Sequence, residues 1–251
     1  MAGHSKWANI KHRKAAQDKK RGKQFAKLIR AIESSAREAG SSDPTGSPSL
    51  ALAVQKARDA DVPKDNIERA CRRGAGEDDG GARYESATYE GYAPGGVAVL
   101  VEVLTDNRNR TASDVRSLFT RAGGSLAEPG AVSFLFGRRG QVLLDGSPDE
   151  DTVLAAGIEA GLEDLEASED GTVAWCEPSA VPALRAALEA EGLPVTGAGS
   201  TMVANVTVRI DDAAEAGRVL RLLDALEDND DVQEVHANLD VDEAVLDAVE
   251  L

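Results

Sequence analysis

Apolar positions along the chain change period twice, and the changes divide it into three stretches. From residue 23 onward Phe25, Leu28, Ile29, Ile32 and Ala36 fall at i, i+3, i+4, i+7 and i+11. That spacing predicts an amphipathic helix, and Gly40 supplies its stop. The polar stretch 41–49 reads as a loop. Leu50, Ala53, Val54 and Ala57 mark a second helix, and Pro63 opens a third, with Ile67, Ala70 and Cys71 inside and a stop at Gly74. Residues 6–20 have helix-compatible composition, but Trp7, Ala8, Ile10, Ala15 and Ala16 are their only apolar content. Such a helix is marginal alone and is expected to be ordered partly by a partner.

After the linker-like segment 74–83 the period becomes that of strands. Residues 87–92 and 97–105, joined by Ala93-Pro94-Gly95-Gly96, predict a β-hairpin. A polar loop follows at 106–110, then a helix over 111–121 through Val115, Leu118 and Phe119, and a strand at 132–136. Residues 140–207 predict strand 141–144, helix 150–160, strands 162–168 and 172–176, helix 180–191 and a strand near 201–209. The order βαββαβ is the ferredoxin-like pattern. A helix at 212–227 and a strand at 232–238 have no sheet of their own and are expected to return to the sheet of 87–136. The fold class is therefore α+β with three domains: residues 1–74 helical, a linker over 75–83, a discontinuous α/β domain over 84–138 and 208–251, and a ferredoxin-like domain over 139–207 inserted in it.

Charge alters this picture in one place. The net charge of −16 argues against a nucleic-acid binder, but its distribution reverses that for one segment. Residues 1–30 carry ten Lys/Arg against one acid, Asp18, for a local +9. Residues 31–73 balance, and residues 74–251 stand at −25. This is a basic arm on an acidic body. Lys6, Lys11, His12, Arg13, Lys14, Lys19, Lys20, Arg21, Lys23, Lys27 and Arg30 surround a helix or extended arm. Lys/Arg at this density contact phosphates and release counterions, giving affinity without sequence choice. Trp7, beside Lys6, suits stacking on an exposed base; the plainer alternative is a solvated charge run with Trp7 packed in the helical core.

A second candidate is Asn107, Arg108, Asn109 and Arg110, between a strand end and a helix start, where free backbone N–H groups favour anions. The competing reading is a capped helix start, with Asn109 or Thr111 as N-cap and Arg108 paired to acids. The two readings balance on physics alone.

Much else is excluded by pattern. No GxSxG, HExxH, GxxxxGK[ST] or GxGxxG appears in its required context, so no enzyme is predicted. The acid pairs Asp78-Asp79 and Asp230-Asp231 read as solvated loop residues, and His236, on a strand, as a core or edge histidine. Cys71 and Cys176 lie far apart with no CxxC, so they read as free thiols, with no metal site and no cofactor. No apolar run is long enough to span a membrane, and Met1 precedes no apolar h-region.

Five stretches resemble one family nearly residue for residue: AGHSKWANIKHRKAAQDKKRGK (2–23), VPKDNIERA (62–70), TYEGYAPGG (88–96), TDNRNRT (105–111) and GGSLAEPGAVSFLF (123–136). By these the chain is similar to the YebC/PmpR family. Ala93 and Ala127 stand where that family typically has Gly, and 140–200 resembles it in pattern more than identity. The resemblance implies three domains, the last inserted in the second. It also implies a DNA-binding transcriptional regulator of the bacterial cytoplasm. A mitochondrial relative is a translational activator for cytochrome oxidase, and bacterial relatives are linked to translating ribosomes. Because the AGHSKW motif begins at residue 2, the bacterial form without a presequence is expected. The partner is then promoter DNA or ribosomal RNA on a ribosome, with no small-molecule substrate; a third reading is an adaptor whose acidic body docks a basic protein. The all-round distribution of Lys and Arg suits backbone contact more than base readout.

Overall fold

A computed structural model of the chain describes residues 19–79, 83–168 and 171–249. They form two compact units, one built from residues up to 136 together with 204 onward, the other from 137–203.

The first unit opens with three helices, α1 (Lys19–Ala39), α2 (Pro48–Asp59) and α3 (Lys64–Ala75). The predicted stripe of α1 is the packed one: Ile32 and Ala36 are buried with Leu50, Val54 and Ala57 of α2 and Ile67, Ala70 and Cys71 of α3. Gly40, at φ +63°, ends α1 in a Schellman arrangement in which Ser41 N–H donates to the Ala36 carbonyl. Ser47 caps α2 through its hydroxyl, so that helix starts inside the stretch read as loop. Gly74 is not the stop predicted for α3. The helix runs on to Ala75 and turns at Gly76, while Gly74 faces α1, where a Cβ would collide with the Glu33 carbonyl and with Ala36. The glycine is there for a close helix crossing. Beside it Glu33, nearly fully buried, pairs with Arg73.

The same unit continues into an antiparallel sheet. β1 (Glu85–Tyr92) and β2 (Ala98–Thr105) form the predicted hairpin, closed by Ala93 N–H to the Val97 carbonyl at 2.8 Å. Gly95 and Gly96 take the positive φ this turn needs. The sheet order is β3-β1-β2-β9, with β3 (Ser125–Leu126) on one edge and β9 (Val232–Ala237) on the other. The C-terminal strand thus does return to the hairpin, pairing antiparallel with β2. α4 (Arg108–Arg121) and α7 (Ala213–Glu227) bury Val115, Phe119, Val219, Leu220 and Leu223. Gly91 on β1 lets Phe119 lie against the strand, since a Cβ there would stand 2.6 Å from its ring.

The strand predicted at 132–136 is instead a 3₁₀ turn, Ser133–Leu135. The cause is Glu90, whose buried carboxylate accepts the N–H groups of Gly130 (2.7 Å), Val132 (2.6 Å) and Ser133 (2.9 Å). Backbone donors spent on a carboxylate are lost to a ladder.

The second unit is a βαββαβ fold: β4 (Phe136–Leu144), α5 (Glu150–Gly157), β5 (Leu162–Ser168), β6 (Gly171–Cys176), α6 (Val181–Ala190) and β7 (Val195–Ala204). Its sheet order, β5-β6-β4-β7, is that of a ferredoxin-like domain. Val142, Leu144, Val153, Ala174, Cys176, Leu184 and Leu188 fill the core between sheet and helices. The last strand begins earlier than the predicted 201–209. Its first half, Val195-Thr196-Gly197-Ala198-Gly199-Ser200, is small and glycine-rich and so carries little strand signal. Residues 208–209 form a separate short strand, β8 (Val208–Arg209), parallel to β10 (Leu239–Asp240) in the first unit's half of the chain. Within the first unit, the points where the chain leaves and returns are joined by Asn205 N–H to the Leu135 carbonyl at 2.8 Å.

Candidate nucleic-acid interface

Of the basic arm, Lys6, Trp7, Lys11, His12, Arg13 and Lys14 lie outside the described residues. Lys19, Lys20 and Arg21 fall on the first turn of α1, their side chains likewise outside. Lys23, Lys27 and Arg30 can be followed in full. Spaced at i, i+4 and i+7, they share one face of α1, and that face meets the end of α7.

A helix C-terminus carries carbonyls without intrahelical partners and the negative end of the dipole. Lys23 Nζ donates to the Asp228 carbonyl at 3.0 Å and lies 3.7 Å from its carboxylate. Lys27 Nζ donates to the Glu227 carbonyl, and Arg30 Nη1 to the Asp230 carbonyl. Three cations expected to meet phosphate therefore neutralise the α7–β9 corner of the protein itself. Arg30 also stands over the Tyr84 ring, 5.9 Å from its centroid.

The second candidate sits next to the first. Asn107, in extended backbone, is the N-cap of α4, its side chain accepting Arg110 N–H at 3.1 Å. The cap was expected at Asn109 or Thr111; the helix begins earlier and absorbs 108–110 from the predicted loop. Arg110, rather than Arg108, is the arginine paired with acids, reaching Asp106 at 2.8 Å and Asp231 at 2.7 Å. Arg108 and Asn109 are exposed on the first turn, and the Arg108 carbonyl accepts the Tyr89 hydroxyl at 3.1 Å.

Asp231 brings the two candidates together. Its Oδ1 lies 3.3 Å from Arg30, while its Oδ2 takes Arg110, the Thr111 hydroxyl at 2.7 Å and the Thr105 hydroxyl at 3.2 Å. Its local sequence is that of a solvated acid pair, yet it is 6% exposed. Burial alone would raise its carboxyl, but the bonds from Arg110 and the two threonines outweigh that and hold it below the usual aspartate range. Asp78, from the other acid pair, is bonded to Arg72 at 2.9 Å. A lone Asp in a loop gave no signal of this role, because all its donors come from distant elements.

No described helix is long and apolar enough to cross a membrane. Residues 5–77 match the family model described as "TACO1/YebC protein N-terminal domain", and residues 84–239 match "TACO1/YebC second and third domain". A protein of Beutenbergia cavernae is 54% identical over 249 residues, with 98% of both chains covered. One of Rubrobacter xylanophilus is 53% identical over 247 residues at the same coverage. Both are named "Probable transcriptional regulatory protein". The crystal structure of a conserved hypothetical protein from Aquifex aeolicus superposes with a TM-score of 0.85 at 44% identity, covering 94% of this chain and 97% of that one.

Proposed function

The chain belongs to the TACO1/YebC family, and from that premise we propose that it is a non-enzymatic, nucleic-acid-binding regulator of gene expression acting in the bacterial cytoplasm. The contact is made by the basic segment leading into α1. One observation carries this reading, the concentration of ten cations in residues 1–30 ahead of a body at −25. Lys23, Lys27 and Arg30 fasten α1 to the acidic end of α7, and the seven that precede them are assigned to phosphate. A basic segment joined to a fastened helix loses less freedom on binding than one on a free linker. Arg108 and Asn109, on the first turn of the helix that shares Asp231 with α1, supply a further contact at a helix N-terminus.

Promoter DNA is the target favoured by the relatives' names. A second reading, ribosomal RNA on a ribosome, is favoured by the charge pattern. Cations on all sides of the arm read backbone rather than bases, and a body of −25 repels long duplex flanks. Sedimentation of a cell lysate through sucrose, with and without RNase, separates the two. Co-migration with ribosomes that disappears in a Lys11→Glu, Arg13→Glu, Lys14→Glu variant makes this a translation factor. Retention in light fractions, with promoter DNA bound at a salt slope of roughly −0.9 per neutralised phosphate, makes it a transcriptional regulator. Unchanged binding of both nucleic acids by the triple variant removes the arm from the site.

A further inference from the structure

Pairing of β9 with β2 gathers three ligand-type side chains that the sequence keeps far apart. Glu102 stands directly opposite Glu234, and Leu100 opposite His236. Glu234 and His236, two residues apart on one strand, share a face of the sheet, and Glu102 lies across from them on that face. His236 is 6% exposed, and its Nε2 is buried without a hydrogen bond among the described residues. Two carboxylate oxygens face that nitrogen, Glu102 Oε2 at 3.5 Å and Glu234 Oε2 at 3.7 Å. All three ligand atoms lie within 4.8 Å of one another.

These separations are long for N–H···O bonds. The two nitrogen–oxygen separations are those of ligands around a small cation. Metal–nitrogen and metal–oxygen bonds of about 2.0–2.2 Å place tetrahedral neighbours about 3.4 Å apart. Buried polar atoms almost always have a partner, so an orphaned imidazole nitrogen aimed at two carboxylates points to something that bonds to all three.

We propose that Glu102, Glu234 and His236 form a binding site for a divalent transition-metal cation of the Zn²⁺ type. One imidazole nitrogen with two carboxylate oxygens is a borderline donor set. It suits zinc and its first-row neighbours better than calcium, which takes six to eight oxygens, or magnesium, which keeps an octahedral oxygen shell. The glutamate side chains are 26% and 33% exposed, so the cation enters from solvent and keeps water as a remaining ligand. Lys56 on α2 donates to the other oxygen of Glu234 at 3.2 Å. It orients that carboxylate, leaving Oε2 for the metal, as partners behind metal ligands commonly do. A cation held here would tie β2, β9 and, through Lys56, α2 into one cluster. No Cys/His spacing in the sequence suggests a metal, because the site exists only once two distant strands pair.

The test uses the full chain stripped with a chelator, titrated with Zn²⁺ by calorimetry and with Co²⁺ by visible absorption. One saturable equivalent is expected, with cobalt d–d bands of a low-coordinate site and a thermal midpoint that rises with metal. His236→Gln and Glu102→Gln are each expected to weaken binding by at least about tenfold. A His4→Ala, His12→Ala double variant is expected to bind as the parent does, which assigns the metal to His236 among the three histidines. Absence of a saturable equivalent overturns the proposal, as does parental affinity in His236→Gln. If His236→Gln does not fold by circular dichroism, Glu102→Gln, at a partly exposed strand position, decides in the same way.

Discussion

Arg110 Nη2 lies 2.7 Å from Asp231 Oδ2, joining the first turn of α4 to the residue that leads into β9. Four donors from three other parts of the fold converge on that carboxylate, so removing it leaves two arginines and two hydroxyls to find water. Arg110 is half exposed and rehydrates readily, whereas Arg30 and the threonines do so less well. Asp231→Ala is expected to cost about 2–3 kcal/mol, and Arg110→Ala less, because its guanidinium is already solvated. Urea denaturation of the two single variants and the double gives their coupling directly.

Acid should loosen this unit in a defined window. The Glu90 carboxyl would be raised by burial alone, but N–H bonds from Gly130, Val132 and Ser133 bring it below its ordinary value, and Asp231 is lowered in the same sense. In each case the unfolded chain takes up the proton first, near pH 4 (about 3.9 for Asp and 4.3 for Glu). Their stabilisation is therefore complete above that pH and drains away as pH falls toward the folded values. Glu33 has the opposite sign, because burial raises it despite Arg73; its contribution is present at low pH and is lost as pH climbs past its folded value. Urea midpoints between pH 7 and pH 3 should fall steeply below about pH 4. Glu90→Gln should start lower at neutral pH and lose less on acidification.

Two glycines in the helices should respond oppositely to one substitution. A Cβ at Gly74 meets the Glu33 backbone, which cannot step aside, so Gly74→Ala should destabilise by about 1–3 kcal/mol in spite of its better helix propensity. Gly22, inside α1, has nothing within 4 Å of its added Cβ, and Gly22→Ala should stabilise by up to about 1 kcal/mol. Thermal midpoints suffice to check both.

Arg108 separates binding from folding. Its side chain is exposed while Arg110 is committed to acids. Arg108→Ala should leave the urea midpoint unchanged and reduce the salt slope of nucleic-acid binding by about one phosphate. Arg110→Ala should do the reverse, and binding isotherms at four salt concentrations would show which arginine counts.

Element types were largely legible in the sequence, since the 3.6-residue stripe of α1 and the near-continuous apolar run of β2 are unambiguous. Two of the misreadings share a cause, which is a distant partner overriding a local signal. Gly74 reads as a stop until α1 is seen against it. Residues 132–136 read as a strand until Glu90 claims their N–H groups. At the candidate interface, charge density revealed the basic arm but not that Lys23, Lys27 and Arg30 have partners within the fold. Those partners lie some 200 positions downstream, beyond the reach of any local pattern.

That separation has a consequence for synthesis. At about 5–20 residues per second, the carbonyls that receive Lys23, Lys27 and Arg30 leave the ribosome roughly 10–40 s after the lysines themselves. Through that interval the basic face of α1 has no dock, and β2 has an open edge where β9 will pair. The nascent chain thus carries three undocked cations of α1 and a bare strand edge together, and both are covered by one late segment, residues 227–237.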